Sequence, residues 1–357
     1  MVKKVENIIV GISIGDLNGI GSEVILKTFE DARVFEFCTP VIFANAKLVS
    51  FLKKVLSVNI AVHGIDKLDQ IQPGKLNVLN VWKEGVNVEF GVLNEVVGKY
   101  AIKSFTAATA ALKDGFVDVL VTAPINKSNV QTEDFQFPGH TDYLNQEFEG
   151  DALMLMVHDD LRVGLLTDHL PLHDVPGKID FDLILKKVQT VDQTLRQDFC
   201  IERPKIALLG INPHCGDGGV IGSEDDTIMK PAIKELFDRG YMVFGPYPAD
   251  SFFGSGDYEN YDAVLAVYHD QGLIPFKTLA FGKGVNYTAG LNKVRTSPDH
   301  GTAFGIAGKG QADHNSFTEA LYLALDVFKN RQDYIELKSN ALKTQNVGEM
   351  PTKKSNN

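Results

Sequence analysis

The chain has 357 residues, of which 44% are hydrophobic and 23% charged, and its formal net charge is -11. Roughly 150 residues per domain makes this a globular protein of two lobes. The acidic balance excludes nucleic acid as the main partner, because a phosphate backbone requires a cationic face. No apolar stretch approaches the ~20 residues that span a bilayer, so no membrane partner is expected. Cys38, Cys200 and Cys215 are too widely and irregularly spaced for a disulfide framework. They fit a reducing compartment. With no signal-peptide plan at the N-terminus, a cytoplasmic location is expected.

Taken in chain order, short apolar runs alternate with longer helical patterns. A strand is expected at 8–14, a helix at 22–29, strands at 40–44 and 76–82, a helix at 94–113 and a strand at 117–123. In the second of those helices Val97, Ala101, Phe105 and Ala108 share one face at 3.6-residue spacing. A short helix is expected at 142–148. Residues 154–157 and 162–166 read as a hairpin around His158-Asp-Asp-Leu161. There follow a helix at 181–196, a strand at 205–210, a helix at 224–238, a strand at 263–268 and a helix at 316–329. Residues 339–357 are polar, lack periodicity and read as a loose tail. Near-continuous apolar strands alternating with helices predict an α/β fold around a mainly parallel sheet. No linker marks a boundary, so the chain is expected to cross between its lobes more than once.

Three of the nine histidines share one context: His169, His214 and His269 each sit just past an apolar strand. In open α/β sheets ligands bind at the carboxyl edge, and strands ~4.8 Å apart can bring such ends together. A lone loop histidine signifies little. Three imidazoles that leave a position open make a catalytic metal site. Cys215 beside His214 reads as a bystander, since a sulfur ligand would close the site. Asp250 and Asp270 near the same edge are candidates to orient a histidine or a metal-bound water, against ordinary loop capping.

Local positive charge is expected where an acidic protein holds an anion. Phe137-Pro-Gly-His-Thr-Asp142 opens a helix, which places His140 and Thr141 at free N–H groups. The alternative is that Thr141 caps the helix and His140 is incidental. Lys277, Asn286 and Arg295 lie in the segment after the third histidine, where the two cations can clamp an anion. Asp16-Leu-Asn-Gly-Ile-Gly21 also links a strand to a helix, but it is not the dinucleotide fingerprint.

Seven motifs in order give the chain a resemblance over residues 8–329: Thr122-Ala-Pro-Ile-Asn-Lys127, Pro138-Gly-His-Thr-Asp142, Asp168-His-Leu-Pro-Leu172, Asn212-Pro-His-Cys-Gly-Asp-Gly-Gly219, Tyr268-His-Asp-Gln-Gly-Leu273, Gly282-Lys-Gly-Val-Asn-Tyr-Thr288 and Arg295-Thr-Ser-Pro-Asp-His-Gly-Thr-Ala303. It resembles the 4-hydroxythreonine-4-phosphate dehydrogenase family, within the isocitrate/isopropylmalate dehydrogenase-like group. The resemblance implies two α/β/α lobes, residues 1–127 with 280–338 on the cofactor side and 128–279 on the metal and dimer side, with the active site in the cleft between them. It also implies a homodimer whose subunits share their active sites. His169, His214 and His269 match the ligands of one divalent metal, zinc first, with magnesium or cobalt as alternatives. His140, Thr141, Lys277, Asn286 and Arg295 match substrate-contacting positions. His300, Gly301, Gly308 and Gly310 fall in or beside the segment 302–312, which resembles the group's cofactor-side loop. The usual Gly-Asp-Pro-Ala-Gly-Ile-Gly-Pro-Glu loop appears here as Gly15-Asp-Leu-Asn-Gly-Ile-Gly-Ser-Glu23, and without its prolines it is less pre-set.

The implied reaction is NAD- or NADP-linked oxidation and decarboxylation of 4-phosphooxy-L-threonine to 3-amino-2-oxopropyl phosphate, on the route to pyridoxal phosphate. Lys127, Asp250 and Asp270 are the candidates to accept the hydroxyl proton. One rival is a dehydrogenase of the same family acting on threonate or erythronate phosphate. Another is a metal-dependent phospho-ligand binding protein without catalysis, against which the loop 302–312 argues. An isocitrate- or isopropylmalate-type enzyme fits less well, because that branch holds its metal mainly with aspartates.

Overall fold

The computed structural model describes residues 7–130, 135–137 and 139–340. All but the first two residues of the expected tail lie outside that range. The first strands are largely apolar and buried: β1 (Ile8–Ser13), β2 (Cys38–Ala44), β3 (Val62–Ile65), β4 (Leu76–Asn80) and β5 (Val119–Thr122), with the edge strand β3 and the end of β4 half-exposed. Between them lie α1 (Gly21–Thr28), α2 (Ala46–Val55) and α3 (Glu95–Lys113). Asn94 starts α3 by accepting hydrogen bonds from the amides of Val96 and Val97. After α4 (His140–Glu147) come the hairpin β6 (Gly150–His158) and β7 (Leu161–Leu165), then α5 (Phe181–Asp198), β8 (Lys205–Leu209), α6 (Lys230–Asp238), β9 (Met242–Tyr247), α7 (Ala249–Gly254), β10 (Ala263–Ala266), α8 (His269–Leu279), β11 (Val285–Leu291), β12 (Val294–Pro298) and α9 (Asn315–Ser339).

All twelve strands form one sheet in the order β3-β4-β2-β1-β5-β12-β11-β6-β7-β10-β8-β9. It is parallel on both flanks and antiparallel at the centre, where β12, β11, β6 and β7 pair in turn. Those three reversals make the β7-β10-β8-β9 flank run opposite to the β1-β2-β5-β12 flank. The carboxyl ends of the two flanks therefore do not share one edge. The α/β prediction holds, and most elements fall within a few residues of expectation. The helix expected at 224–238 begins instead as a π-turn, Asp225–Met229, before α6.

β11 and β12 were not expected as strands. Their polar residues Asn286, Thr288, Arg295, Thr296 and Ser297 break the apolar run, although every residue of β12 is buried. The edge strands β3 and β9 and the helices α2, α7 and α8 also escaped the pattern.

Beneath β11 a buried cluster ties three elements together. The Tyr287 hydroxyl donates to Asp198 Oδ2 at 2.5 Å, and Arg331 donates to Asp198 Oδ1 at 2.6 Å and to the Tyr287 oxygen at 2.9 Å. Burial and the adjacent Asp198 carboxylate push the Tyr287 phenol well above its usual range. An Asp198→Ala protein strands the Arg331 charge, so it is expected to lose about 3–5 kcal/mol of stability, read as a lower denaturant midpoint.

Two strands away, α3 meets the segment after β5 at Gly98, where a Cβ would stand 2.0 Å from the Asn129 carbonyl oxygen. That approach brings Asn129 Nδ2 within 2.8 Å of the buried Asp16 carboxylate.

Candidate active site

Arg295 is the centre of the site. It lies in β12 with 3% of its surface exposed. Its guanidinium donates to Thr122 Oγ1 at 2.5 Å, to Thr288 Oγ1 at 3.1 Å and to His140 Nδ1 at 2.9 Å. Among the described residues no carboxylate pairs with it, and burial alone pushes its pKa down to about 9. At neutral pH the folded protein therefore holds an uncompensated buried cation, a costly state that an anionic ligand relieves.

His140 completes the donor set. Arg295 has no acceptor atoms, so His140 Nδ1 accepts and the ring proton resides on Nε2. Nε2 is buried and has no partner among the described residues. Burial first, then Arg295 and Lys127, hold the imidazole well below its usual pKa, so it is neutral. The residue begins α4, whose N-cap Gly139 contributes no side-chain hydrogen bond. Thr141 is therefore not the cap. The first-turn N–H groups of α4 stay available for an anion.

A cavity of about 310 Å³ gathers Lys127, His140, Thr141, His169, Asn286, Arg295, His300 and Gly301 of the expected residues. Asn286 Oδ1 and His300 Nε2 are further buried polar atoms without partners. Sequence reasoning missed Asp142 and Asp168, which also line the cavity, and Thr122 and Thr288, which hold Arg295. Thr122, Asp142 and Asp168 stand at the ends of quoted motifs, which was the available signal.

Among the metal candidates, His169 and His269 come together with ring centroids 5.6 Å apart. They share a second cavity with Asp168 and Asp270 that adjoins the first. Asp270 Oδ1 lies 2.7 Å from His269 Nδ1 and fixes that ring's orientation. Burial and the nearby Lys127 lower the His169 pKa, which keeps its imidazole available as a ligand. This donor chemistry fits a divalent ion. His214 does not join them: it is exposed, in a left-handed turn after β8. Strand order does not account for this, since β8 pairs with β10 as β7 does; the left-handed turn that follows the end of β8 at Leu209 leaves His214 exposed. Among the described residues no group of three or more His, Cys, Asp or Glu side chains could hold a metal. Cys215 turns its thiol to the Pro246 carbonyl.

Other expected residues stand outside the cavity. Lys277 is exposed and donates to the Asp299 carbonyl at 2.9 Å. Asp250 is exposed in the first turn of α7. Gly308 faces the Phe90 ring, which a Cβ would approach to 2.4 Å, and Gly310 receives Lys27 Nζ through its carbonyl. The loop 302–312 is tied to the turn 15–23 by the Ile20 amide on the Thr302 carbonyl and the Ala312 amide on Glu23 Oε1, and within that turn Asn18 Oδ1 accepts from the Glu89 amide and Asn18 Nδ2 donates to the Val92 carbonyl. These bonds hold the turn in the absence of the prolines.

Fold and site together define an α/β protein with a partly enclosed cavity that carries a buried cation. The family described as pyridoxal phosphate biosynthetic protein PdxA matches residues 36–324. A 4-hydroxythreonine-4-phosphate dehydrogenase of Bacteroides thetaiotaomicron is 45% identical over 338 residues, 94% of this chain and 93% of its own. A D-threonate 4-phosphate dehydrogenase of Cupriavidus necator is 37% identical over 319 residues, 88% of this chain and 95% of its own. The solved structure of 4-hydroxythreonine-4-phosphate dehydrogenase from Klebsiella pneumoniae matches with a TM-score of 0.77 at 31% identity, over 91% of this chain and 99% of that one. The chain belongs to the pyridoxal phosphate biosynthetic protein PdxA family, and it is an oxidoreductase. Among the described residues no helix is long and apolar enough to cross a membrane.

Proposed function

We propose that the chain oxidises and decarboxylates 4-phosphooxy-L-threonine with NAD or NADP, yielding 3-amino-2-oxopropyl phosphate for pyridoxal 5'-phosphate synthesis. The observation that carries this reading is the buried Arg295 cation, unpaired and set beside a neutral His140 whose Nε2–H is free. Arg295, His140 and the first turn of α4 bind the phosphate or carboxylate, and Thr141 and Asn286 complete the wall. Lys127 lines the cavity, whereas Asp270 is engaged with His269 and Asp250 stands outside. Lys127 is therefore the best placed of the three to take the hydroxyl proton. Oxidation of that carbon gives a ketone β to the carboxylate, from which carbon dioxide leaves.

A bound nicotinamide supplies the hydride acceptor, and a divalent ion stabilises the oxygen on which negative charge develops. His169 and His269 are the residues to hold that ion, zinc first, with magnesium or cobalt as alternatives. His214 contributes across a homodimer with shared active sites. His300, Gly301, Gly308 and Gly310 frame the nicotinamide side. The return of β12 to pair with β5 supports a cofactor lobe of residues 1–127 and 280–338 and a second lobe of 128–279. A cytoplasmic location goes with this metabolism.

The test is NADH formation by metal-loaded protein on a panel of phosphorylated and unphosphorylated hydroxy acids. The expected result is turnover that needs both the phosphate and the metal. Tight phospho-ligand binding with no NADH from any member of the panel contradicts an enzyme here.

A further inference from the structure

Asp16 is fully buried in the turn after β1, and burial pushes its pKa up. Its two oxygens have separate tasks. Oδ1 accepts from the Asn18 amide at 2.9 Å and closes the turn on itself, while Oδ2 accepts from Asn129 Nδ2 at 2.8 Å. A carboxamide in its place would offer one oxygen and turn an NH2 group against the other donor. Asn129 is held as firmly. Its Nδ2 also donates to the Asn94 carbonyl at 3.2 Å, and since both partners only accept, the orientation of the amide is fixed. Its main-chain N–H donates to the Asn126 carbonyl at 3.2 Å and closes the turn 126–129.

Lys127 and Ser128 form the exposed tip of that turn, and Asn129 is its buried foot. Lys127 Cε stands 3.8 Å from where a Cβ on Gly139 would be, so the side chain reaches the start of α4 beside His140. The turn 15–23 is bonded in addition to the loop 302–312, through the Ile20 amide on the Thr302 carbonyl at 3.0 Å and the Ala312 amide on Glu23 Oε1 at 2.8 Å. Asp16 therefore belongs to the one turn that is bonded both to the segment carrying Lys127 and to the loop 302–312. Neither Asp16 nor Asn129 is among the residues that line the cavity.

We propose that Asp16 is a positioning residue: through Asn129 it holds Lys127 in register with the loop 302–312, so that the proton acceptor and the nicotinamide meet at one substrate carbon. This rests on the reading of Lys127 as the proton acceptor. A displacement of about 1 Å at such a group costs about a hundredfold in rate, while Arg295 and His140 still bind the anion.

The experiment compares metal-loaded wild type with Asp16→Asn, Asn129→Ala, Lys127→Ala and each of the first two combined with Lys127→Ala. NADH appearance with 4-phosphooxy-L-threonine gives kcat and KM. Hydrogen exchange read on peptides covering residues 126–129 follows the turn itself, and melting temperatures are recorded alongside. Asp16→Asn and Asn129→Ala should each lower kcat about a hundredfold and leave KM within about threefold. Exchange in the turn should quicken about tenfold or more while β5 keeps its protection. In the Lys127→Ala background either substitution should cost no more than about threefold further, because the group it positions is gone. If Asp16→Asn fails to fold, Asn129→Ala carries the same test. A kcat within about threefold of wild type, unchanged exchange in the turn, or a full second loss on top of Lys127→Ala overturns the assignment. Normal turnover by Lys127→Ala refutes the proton acceptor, and a wild type that makes no NADH refutes the reaction. In either case the exchange of the turn alone then upholds or overturns the hold of Asp16 on it.

Discussion

An Arg295→Met protein is expected to lose about a thousandfold or more in kcat/KM, ~4 kcal/mol of transition-state binding, and yet to melt no lower than the wild type. The two halves of that result have one cause. The guanidinium is buried against two threonine hydroxyls and a neutral imidazole, with no counter-ion. Replacing a buried charge by an apolar side chain of similar volume is commonly neutral or stabilising, even when hydrogen bonds are lost. The same arrangement sets a pH dependence. The folded-state pKa is depressed to about 9, so above that value the unfolded chain holds the proton more tightly than the folded one. The burial penalty is complete below pH 9 and diminishes as pH rises beyond it, and the stability difference between variant and wild type narrows there. Added inorganic phosphate should raise the melting temperature of the wild type and leave that of the variant unmoved. A variant that melts far below the wild type, or that keeps its kcat/KM, contradicts the reading of Arg295 as an anion anchor.

A His269→Ala protein is expected to lose its bound divalent ion and, with it, about a thousandfold of turnover, because the ion contributes several kcal/mol at the developing oxyanion. His169 and His269 are the imidazoles that the chain brings together by itself. Asp270→Asn, which removes the carboxylate orienting His269, should weaken metal affinity by about 10–100-fold and leave the protein folded. Elemental analysis and NADH rates on the same samples check both. Metal-free His269→Ala with full turnover removes the metal from the reaction. His214→Ala should match His269→Ala if the dimer brings that exposed side chain to the neighbouring site, and should be silent otherwise.

Much of this was legible in the sequence, for reasons that differ by element. The buried parallel strands β1, β2, β5, β8 and β10 announce themselves because both of their faces are apolar. β12 does not, since Arg295 and its polar neighbours interrupt the apolar run at the place where the strand serves the site. The histidines were rightly placed beyond strand ends, but spacing along a chain carries no strand order. What separates His214 from the other two is the left-handed turn after β8, which leaves its side chain exposed. Lys277 reads from sequence as a clamp and in the fold reaches back to the Asp299 carbonyl. Asp168 opens a motif that the sequence shows, beside the more conspicuous His169, but its place in the cavity wall is a property of the packed fold.

The most direct measurement is calorimetric titration of 4-phosphooxy-L-threonine into metal-loaded wild-type protein and Arg295→Met, without nicotinamide. The wild type should bind one ligand per chain, and the variant should show binding weakened by a hundredfold or more, about 2.7 kcal/mol. Equal affinities would place the anion elsewhere and leave the buried guanidinium without a role.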